Sequence, residues 1–188
     1  MVAPAFSIAA AGEIHSQLPL ERLCSSQATV FQLGFARQAL ARLADRGGLA
    51  CEPTSAGLLI RSETEAALEQ PVDLLREIYG EDLHVGPLTI RCRETAQGLT
   101  EPHMGVQVRC QPADLQRVRG DLERRGARIV EAHAEAAIGV VRATAPLARL
   151  VGYAGELAAL TGDRAYPVMW LSHYESASPA GPPGGAAA

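Results

Sequence analysis

The order of the hydrophobic periodicities limits the fold of this chain more than any other feature of its sequence. In the clearer stretch, apolar residues alternate over residues 106–110, as in a strand, and then recur at helical spacing until Gly126. Pro112 stands where the first helical turn would begin. Two further alternating runs, 127–133 and 137–144, predict a pair of strands joined by a short turn.

A second helix and a last strand complete this stretch. Pro146 opens the second helical pattern, Gly162 ends it, and residues 165–173 alternate again. Val168 and Trp170 fall on one face of that last strand. The stretch therefore predicts the order strand, helix, strand, strand, helix, strand.

The preceding part of the chain repeats this order less cleanly. Its predicted elements are a strand over 29–33, a helix over 35–46, a hairpin of 49–52 and 57–61, a helix that ends at Tyr79, and a strand over 83–93. Ser62 and Glu65 have the spacing of a capping box at the start of the second helix. Pro71 lies inside that helix and should kink it or delay its start.

Each stretch therefore predicts a ferredoxin-like split β-α-β (βαββαβ) sandwich, with two helices on one face of an antiparallel sheet. The fold class is α+β, with two such sandwiches in tandem. We place the first domain at residues 27–95 and the second at 101–176, joined by a short hinge over 95–100. We expect an irregular lead-in over 1–26 and a disordered, low-complexity tail over 177–188.

The composition argues against catalysis. All seventeen basic residues are arginine, and the chain has no lysine for a P-loop and no asparagine for a guanine-binding Asn-Lys-x-Asp loop. The four cysteines form no C-x-x-C pair, which argues against zinc, and no G-x-S-x-G elbow is present. An acyl-phosphate hydrolase on the same sandwich would need the missing asparagine. We therefore predict no catalytic residue, no cofactor, no metal and no enzyme activity.

One basic cluster stands out within twelve residues: Arg117, Arg119, Arg124, Arg125 and Arg128. Three of these arginines, at 117, 124 and 128, have the spacing to share a helical edge that could meet a phosphate backbone, unless the helix has already ended before Arg128. The alternative is an ordinary solvated helix face that Asp121 and Glu123 partly neutralise. The net charge of −4 disfavours general nucleic-acid binding, so any RNA contact would be local.

Two other patterns are not interpreted as sites. The carboxylate pairs Glu63/Glu65 and Asp121/Glu123 are each expected on a solvated helix face. An RNA-binding sheet of the RRM type would need aromatic residues on its central strands. Residues 127–144, taken as those strands, contain none, so the sequence disfavours such a sheet.

Several segments of the second stretch match motifs of a known family. They are Glu-Pro-His-Met at 101–104, the segments 120–129 and 146–164, and Met-Trp-Leu-Ser-His-Tyr-Glu at 169–175. Together they resemble domain V, the last domain of bacterial elongation factor G. Residues 68–80 and 91–95 resemble its domain III, and residues 11–14 are interpreted as a remnant of the exit from domain II. Nothing in the sequence resembles the GTPase domain or domain IV of that family.

The resemblance implies a ribosome-associated binding module in translation, located in the cytoplasm, that contacts RNA and protein at the stalk base of the large subunit. It implies no membrane or DNA partner and leaves room for a separately encoded GTPase. The alternative is a truncated or decayed elongation factor fragment, or half of a split factor, without independent activity. The predicted RNA- or ribosome-binding residues are Arg117, which comes from the basic cluster alone, and Arg124, Arg125, Arg128, His173 and Tyr174, which lie in segments that the resemblance matches. Pro146, Gly152 and Tyr153 are matched as structural residues, the last two as packing residues in the middle of a helix.

Overall fold

The computed structural model describes residues 5–9, 18–43 and 49–176. The elements of the first part are β1 (Ala5–Ala9), β2 (Leu20–Ser26), α1 (Gln32–Leu43), β3 (Ala50–Thr54), β4 (Gly57–Ser62), α2 (Glu65–Tyr79), β5 (Leu83–Val85) and β6 (Thr89–Thr95). Those of the second part are β7 (Gly98–Cys110), α3 (Leu115–Arg124), β8 (Arg128–Glu135), β9 (Ile138–Pro146), α4 (Tyr153–Thr161) and β10 (Tyr166–Ser176). Short 3-10 turns precede β5, α3 and α4.

The strand orders confirm the predicted fold class. The first unit has the order β3-β4-β2-β6 and the second the order β10-β7-β9-β8, with antiparallel neighbours throughout. In both units the second strand of the central hairpin lies between the two strands that the first helix connects, which is the split β-α-β arrangement. The exception to the antiparallel rule is β1, which pairs with β6 in parallel.

The two units share one hydrogen-bonded sheet. β6 and β7 form a hairpin in which Thr95 pairs with Gly98 and Arg93 pairs with Thr100. The Thr95 hydroxyl donates to the Gly98 carbonyl at 2.9 Å and accepts from the Gln97 amide at 3.3 Å. The expected hinge over 95–100 is therefore a tight turn with paired flanks, and it holds the two units in register.

The expectation of an irregular lead-in is wrong for residues 5–9 and 20–26, which are strands. Leu20 and Cys24 of β2 point into the core, so this strand, and not the predicted one over 29–33, opens the first unit. The predicted end of the first helix, over 44–46, lies outside the described residues. So do residues 11–14 and the predicted tail over 177–188.

The expected strand over 29–33 is instead a turn that leads into α1. The Gln32 side chain donates to the carbonyls of Ser26 and Thr29, both at 2.7 Å, and accepts from the Ser26 amide at 2.9 Å. Val30 and Phe31 are 88% and 78% exposed, so the apolar side chains that suggested a buried strand do not contribute to the core. Local side-chain hydrogen bonds win over strand propensity in this segment.

The second helix and the last strand of the first unit also differ from expectation. The helix cap is Thr64, whose hydroxyl accepts from the Ala67 amide at 3.3 Å, and not Ser62. Pro71 is buried inside α2 and does not delay its start. The predicted strand over 83–93 is divided into β5 and β6, and both pair with β2.

The core lies between the helices and one face of the sheet and is almost entirely aliphatic. Its largest fully buried side chains include Leu20, Ile60, Leu68, Leu75, Met104, Leu122, Leu157 and Tyr153. The opposite face of the second unit is open, and the Trp170 ring lies against β7 there. A Cβ atom on Gly105 would stand 2.4 Å from Cε2 of that ring, so glycine is required at this crossing.

Gly105→Ala should therefore destabilise the second unit by about 1–3 kcal/mol, because the indole must move to admit a methyl group. Trp170 is the only tryptophan, so urea unfolding followed by its fluorescence reports directly on this contact. Gly155→Ala in α4 is the matched control, since nothing lies within 4 Å of its added Cβ. The control should be neutral or stabilising by up to about 1 kcal/mol, and equal stability of the two variants would contradict the prediction.

Candidate functional site

Arg125 of the basic cluster is engaged inside the second unit. Its guanidinium donates to Asp121 at 2.9 Å, to the Arg149 carbonyl at 3.1 Å, and to the Glu156 carboxylate. It also lies 4.8 Å from the centre of the Tyr153 ring. Burial lowers the pKa of Arg125, but the hydrogen bonds to Asp121 and Glu156 outweigh this and leave it above its ordinary value. Arg125 thus links the C-terminal end of α3 to α4 and to the turn that precedes it.

The other arginines of the cluster face solvent. Arg117 and Arg124 have side chains that are 58% and 69% exposed. Arg124 pairs with Asp121 at 3.0 Å, and Arg119 pairs with Glu123 at 2.9 Å. The expected neutralisation of this helix by its own carboxylates is therefore present, as ion pairs within α3.

Arg117 and Arg124 share one side of α3, but Arg128 does not belong to that helical edge, because it lies in a strand beyond the helix. Gly126 takes a positive φ of 77° and ends the helix. The Ala127 amide then donates back to the Leu122 carbonyl at 3.0 Å, as at a glycine-terminated helix end. Arg128 follows in β8, where it pairs with Thr144 on the open face of the sheet. It has no ion-pair partner among the described residues.

His173 and Tyr174 lie on β10, at the opposite edge of the second unit from β8. His173 is exposed on the open face. Tyr174 points to the other face, where the Arg93 guanidinium lies 3.8 Å from the centre of its ring. Burial raises the pKa of Tyr174 above its ordinary value. The six predicted contact residues are therefore spread over α3, its C-terminal end, β8 and β10. Arg128 and His173 share the open face of the sheet, on its two edge strands, whereas Tyr174 points to the other face.

Pro146, Gly152 and Tyr153, the residues matched as structural, lie at the ends of elements and not in the middle of a helix. Pro146 ends β9, and Gly152 has a φ of 76° between a 3-10 turn and α4. Tyr153 is the first residue of α4 and is fully buried, which raises its pKa. The positive φ at Gly152 divides what the hydrophobic pattern presented as one continuous helix.

Glu63 and Glu65 both contact the second unit, but Glu63 is exposed as expected, and the expectation of a solvated face is wrong for the half-buried Glu65. Both oxygens of Glu65 accept from the Gly152 amide, at 3.0 and 3.1 Å, and Glu63 accepts from the Leu171 amide at 3.5 Å. Glu65 is thus a carboxylate at the N-terminus of α4, a favourable position for a negative charge. Burial nevertheless raises its pKa, although the Gly152 hydrogen bond opposes the shift.

The structure also assembles a group that sequence analysis missed. His103, His173 and Glu175 lie on one face of adjacent strands, with one nitrogen or oxygen from each, all within 4.8 Å of one another. These residues belong to two of the family motifs, Glu-Pro-His-Met at 101–104 and Ser-His-Tyr-Glu at 172–175. Knowing that the two segments pair as antiparallel strands, with His103 opposite His173, would have predicted the group. Neither segment by itself specifies this register.

The central strands of the second unit are β7 and β9, and β8 is an edge, so of the two predicted strands tested for an RRM-like surface only the one over 137–144 is central. β7 takes the place that the prediction gave to residues 127–133. Neither central strand contains phenylalanine, tyrosine or tryptophan. The exposed aromatic residues Tyr166 and Trp170 are on the edge strand β10, so an RRM-like surface is still disfavoured.

The fold and these surfaces define a tandem ferredoxin-like module with basic residues on its second unit. Residues 98–181 match the family described as "Elongation factor G C-terminus". The match begins at the first residue of β7 and includes β10, so the second unit as a whole is similar to the C-terminal domain of elongation factor G.

A solved structure shares the fold of both units. The crystal structure of a protein from the bacterium Thermus thermophilus aligns with 87% of this chain at a TM-score of 0.59 and 14% identity. The chain covers 41% of the length of that protein. None of the helices in the described ranges is long and apolar enough to cross a lipid bilayer.

The Glu65 contact predicts a pH effect on stability. The ordinary value of its pKa is 4.5, and burial raises the folded value above this. Between the two values the folded chain binds more protons than the unfolded chain, so the stabilising contribution falls as pH rises. Glu65→Gln keeps an oxygen for the Gly152 amide and removes the titration. The stability of the wild type relative to this variant should be highest in acid and decline toward neutral pH.

Urea unfolding at a series of pH values measures this difference. Glu77→Gln, at an exposed position of the same helix, is the matched control, with an expected effect within about 0.5 kcal/mol. A wild-type stability that rises relative to Glu65→Gln with increasing pH would contradict the assignment of burial as the dominant cause.

Proposed function

We propose that this chain is an elongation factor G-like, ribosome-associated binding module that acts in translation without catalytic activity of its own. The observation that carries the proposal is the family match over residues 98–181, because it includes both the α3 arginines and the end of β10. The chain also lacks the lysine and asparagine that nucleotide-hydrolysing loops use. Any GTP hydrolysis would then come from a separately encoded partner, and the module would work in the cytoplasm, where ribosomes are.

The contact with ribosomal RNA is proposed for the end of α3 and the start of β8. Between residues 114 and 128, five arginines outnumber three carboxylates, although the whole chain carries a net charge of −4. Arg124 and Arg128 are exposed on either side of the Gly126 turn, and Arg117 is exposed two helical turns before Arg124 on the same side of α3. Arginine suits this task because its planar fork matches phosphate oxygens. Arg125 supports the surface by fixing α3 against α4.

His173 and Tyr174 are proposed to meet a second ribosomal component. Their strand is at the far edge of the second unit from β8, so it offers a surface separate from that of the α3 arginines. A stalk base built from both RNA and protein offers two such surfaces. The exposed Tyr166, Val168 and Trp170 beside His173 favour a protein contact on this edge.

The rival proposal is a fragment, or half of a split factor, that has no independent activity. The coverage of 41% of the Thermus thermophilus protein favours it, because the missing remainder could carry the activity. The two proposals differ in one observable, which is whether this chain alone binds ribosomal particles.

Co-sedimentation of the whole chain with isolated large subunits tests this. We expect binding at low salt that weakens as salt rises, because phosphate contacts release counterions. Arg124→Gln combined with Arg128→Gln should weaken binding and reduce the log–log salt slope by about 2. Arg37→Gln, which removes an exposed arginine of α1 in the first unit, is the matched control and should bind like the wild type.

Arg125→Gln should behave differently from the double variant. It breaks charged hydrogen bonds between α3 and α4, so we expect the unfolding free energy to fall by about 1–3 kcal/mol. Thermal unfolding followed by circular dichroism measures this. Absence of any large-subunit binding by the wild type at low salt would support the fragment, and unchanged binding by the double variant would refute the proposed RNA surface.

A further inference from the structure

We propose that His103, His173 and Glu175 bind a divalent transition metal ion, with zinc as the first candidate. The two histidines are direct cross-strand partners on β7 and β10, and Glu175 is two residues beyond His173 on the same face. All three therefore project from two paired strands of one ladder. Sites supported by paired strands hold their ligands more precisely than sites on loops.

The separations suit a tetrahedral ion. Oε2 of Glu175 lies 3.4 Å from Nδ1 of His103 and 3.4 Å from Nε2 of His173. Zinc binds nitrogen and carboxylate oxygen at about 2.0–2.2 Å, so tetrahedral ligand atoms are about 3.3–3.6 Å apart. The third separation, between the ligand nitrogens of His103 and His173, is no more than 4.8 Å. A small rotation of the exposed His173 ring would bring these two nitrogens to the tetrahedral distance.

The surroundings also favour a cation. Ser172 Oγ lies 3.1 Å from Nδ1 of His173, so this ring turns Nε2 toward Glu175, as outer partners do for metal-bound histidines. Glu101 is directly opposite Glu175 in the strand pairing. Two carboxylates in that relation repel each other, and a bound cation relieves the repulsion.

The ligand set selects the class of metal. Two imidazoles and one carboxylate match zinc, nickel or copper better than magnesium or calcium, which prefer oxygen ligands. His103 is mostly buried, with a side chain that is 14% exposed, whereas His173 and Glu175 are 41% and 61% exposed. The ion would therefore reach the site from solvent and keep one position open to water.

Competing metal sites are weak among the residues that the structure describes. Burial raises the pKa of the Cys24 thiol to about 11, which disfavours the thiolate that zinc requires. His133 on β8 lies near two carboxylates, 3.0 Å from Glu131 and 3.9 Å from Glu135, but no second described histidine joins it. His133 is therefore a matched control in the same unit.

A bound ion would cross-link the C-terminal end of β10 to the N-terminal half of β7. This position adjoins the hairpin between the units, since Ser176 pairs with Thr100 and Thr100 pairs with Arg93. The metal would thus stabilise the last strand where it meets the first unit, and its effect should appear as a rise in thermal stability.

Isothermal titration of the untagged whole chain with zinc chloride tests the proposal. We expect one ion per chain, with at least tenfold weaker binding for His103→Ala and for Glu175→Gln and unchanged binding for His133→Ala. Zinc at about one hundred times its Kd should raise the thermal midpoint of the wild type by about 5–10 °C. Glu175→Gln, at an exposed position, serves if His103→Ala proves unfolded by circular dichroism.

The outcomes separate clearly. Loss of binding in the site variants, with retention in the His133 variant, supports the site. Absence of zinc binding by the wild type overturns the proposal, as does equal binding by Glu175→Gln. Nickel and copper titrations rank the preferred ion once zinc binding is established.

Discussion

The hydrogen-bond ladder of β7 is the interaction on which the rest of the structure depends. This strand pairs with β6 through its first residues and with β9 and β10 along its length. Its inward side chains form the centre of the second core, and its open side carries Gly105 and His103. Because the ladder continues across the turn at 96–97, the two units hold a fixed relation through backbone hydrogen bonds.

Polar contacts reinforce that relation around the ladder. Glu65 caps the start of α4 from the neighbouring unit, and Arg93 stacks on Tyr174 across β7. Each contact joins residues distant in sequence, and each uses a group that a surface position would leave in water. In the sequence, Glu65 has the pattern of a solvated helix face, but in the structure it bonds the second unit and is half-buried. The helical periodicity of α2 contains no information about this neighbouring unit, so the sequence did not predict the contact.

Sequence patterns predicted the fold well where apolar spacing decided the structure, as in α3, β9 and the turn at Gly162. They failed where local polar chemistry decided it. Gln32 hydrogen bonds turned a hydrophobic run into a helix entry, and the positive φ of Gly152 divided an apparently continuous helix. The family motifs identified the second unit. They could not show that Arg128 and His173 lie on opposite edge strands, which depends on strand order, or that His103 and His173 are cross-strand neighbours, which depends on register.

The position of β10 at an edge has a consequence for biosynthesis. Every partner of β10 in the sheet belongs to β7, which is made more than fifty residues earlier. The first unit and the hairpin can therefore form while the chain is still being elongated, whereas one side of β7 stays without its neighbour until residues 166–176 emerge. The second unit would acquire its complete sheet only after residues 166–176 have been made, so assembly of this module is ordered from its first unit to its second.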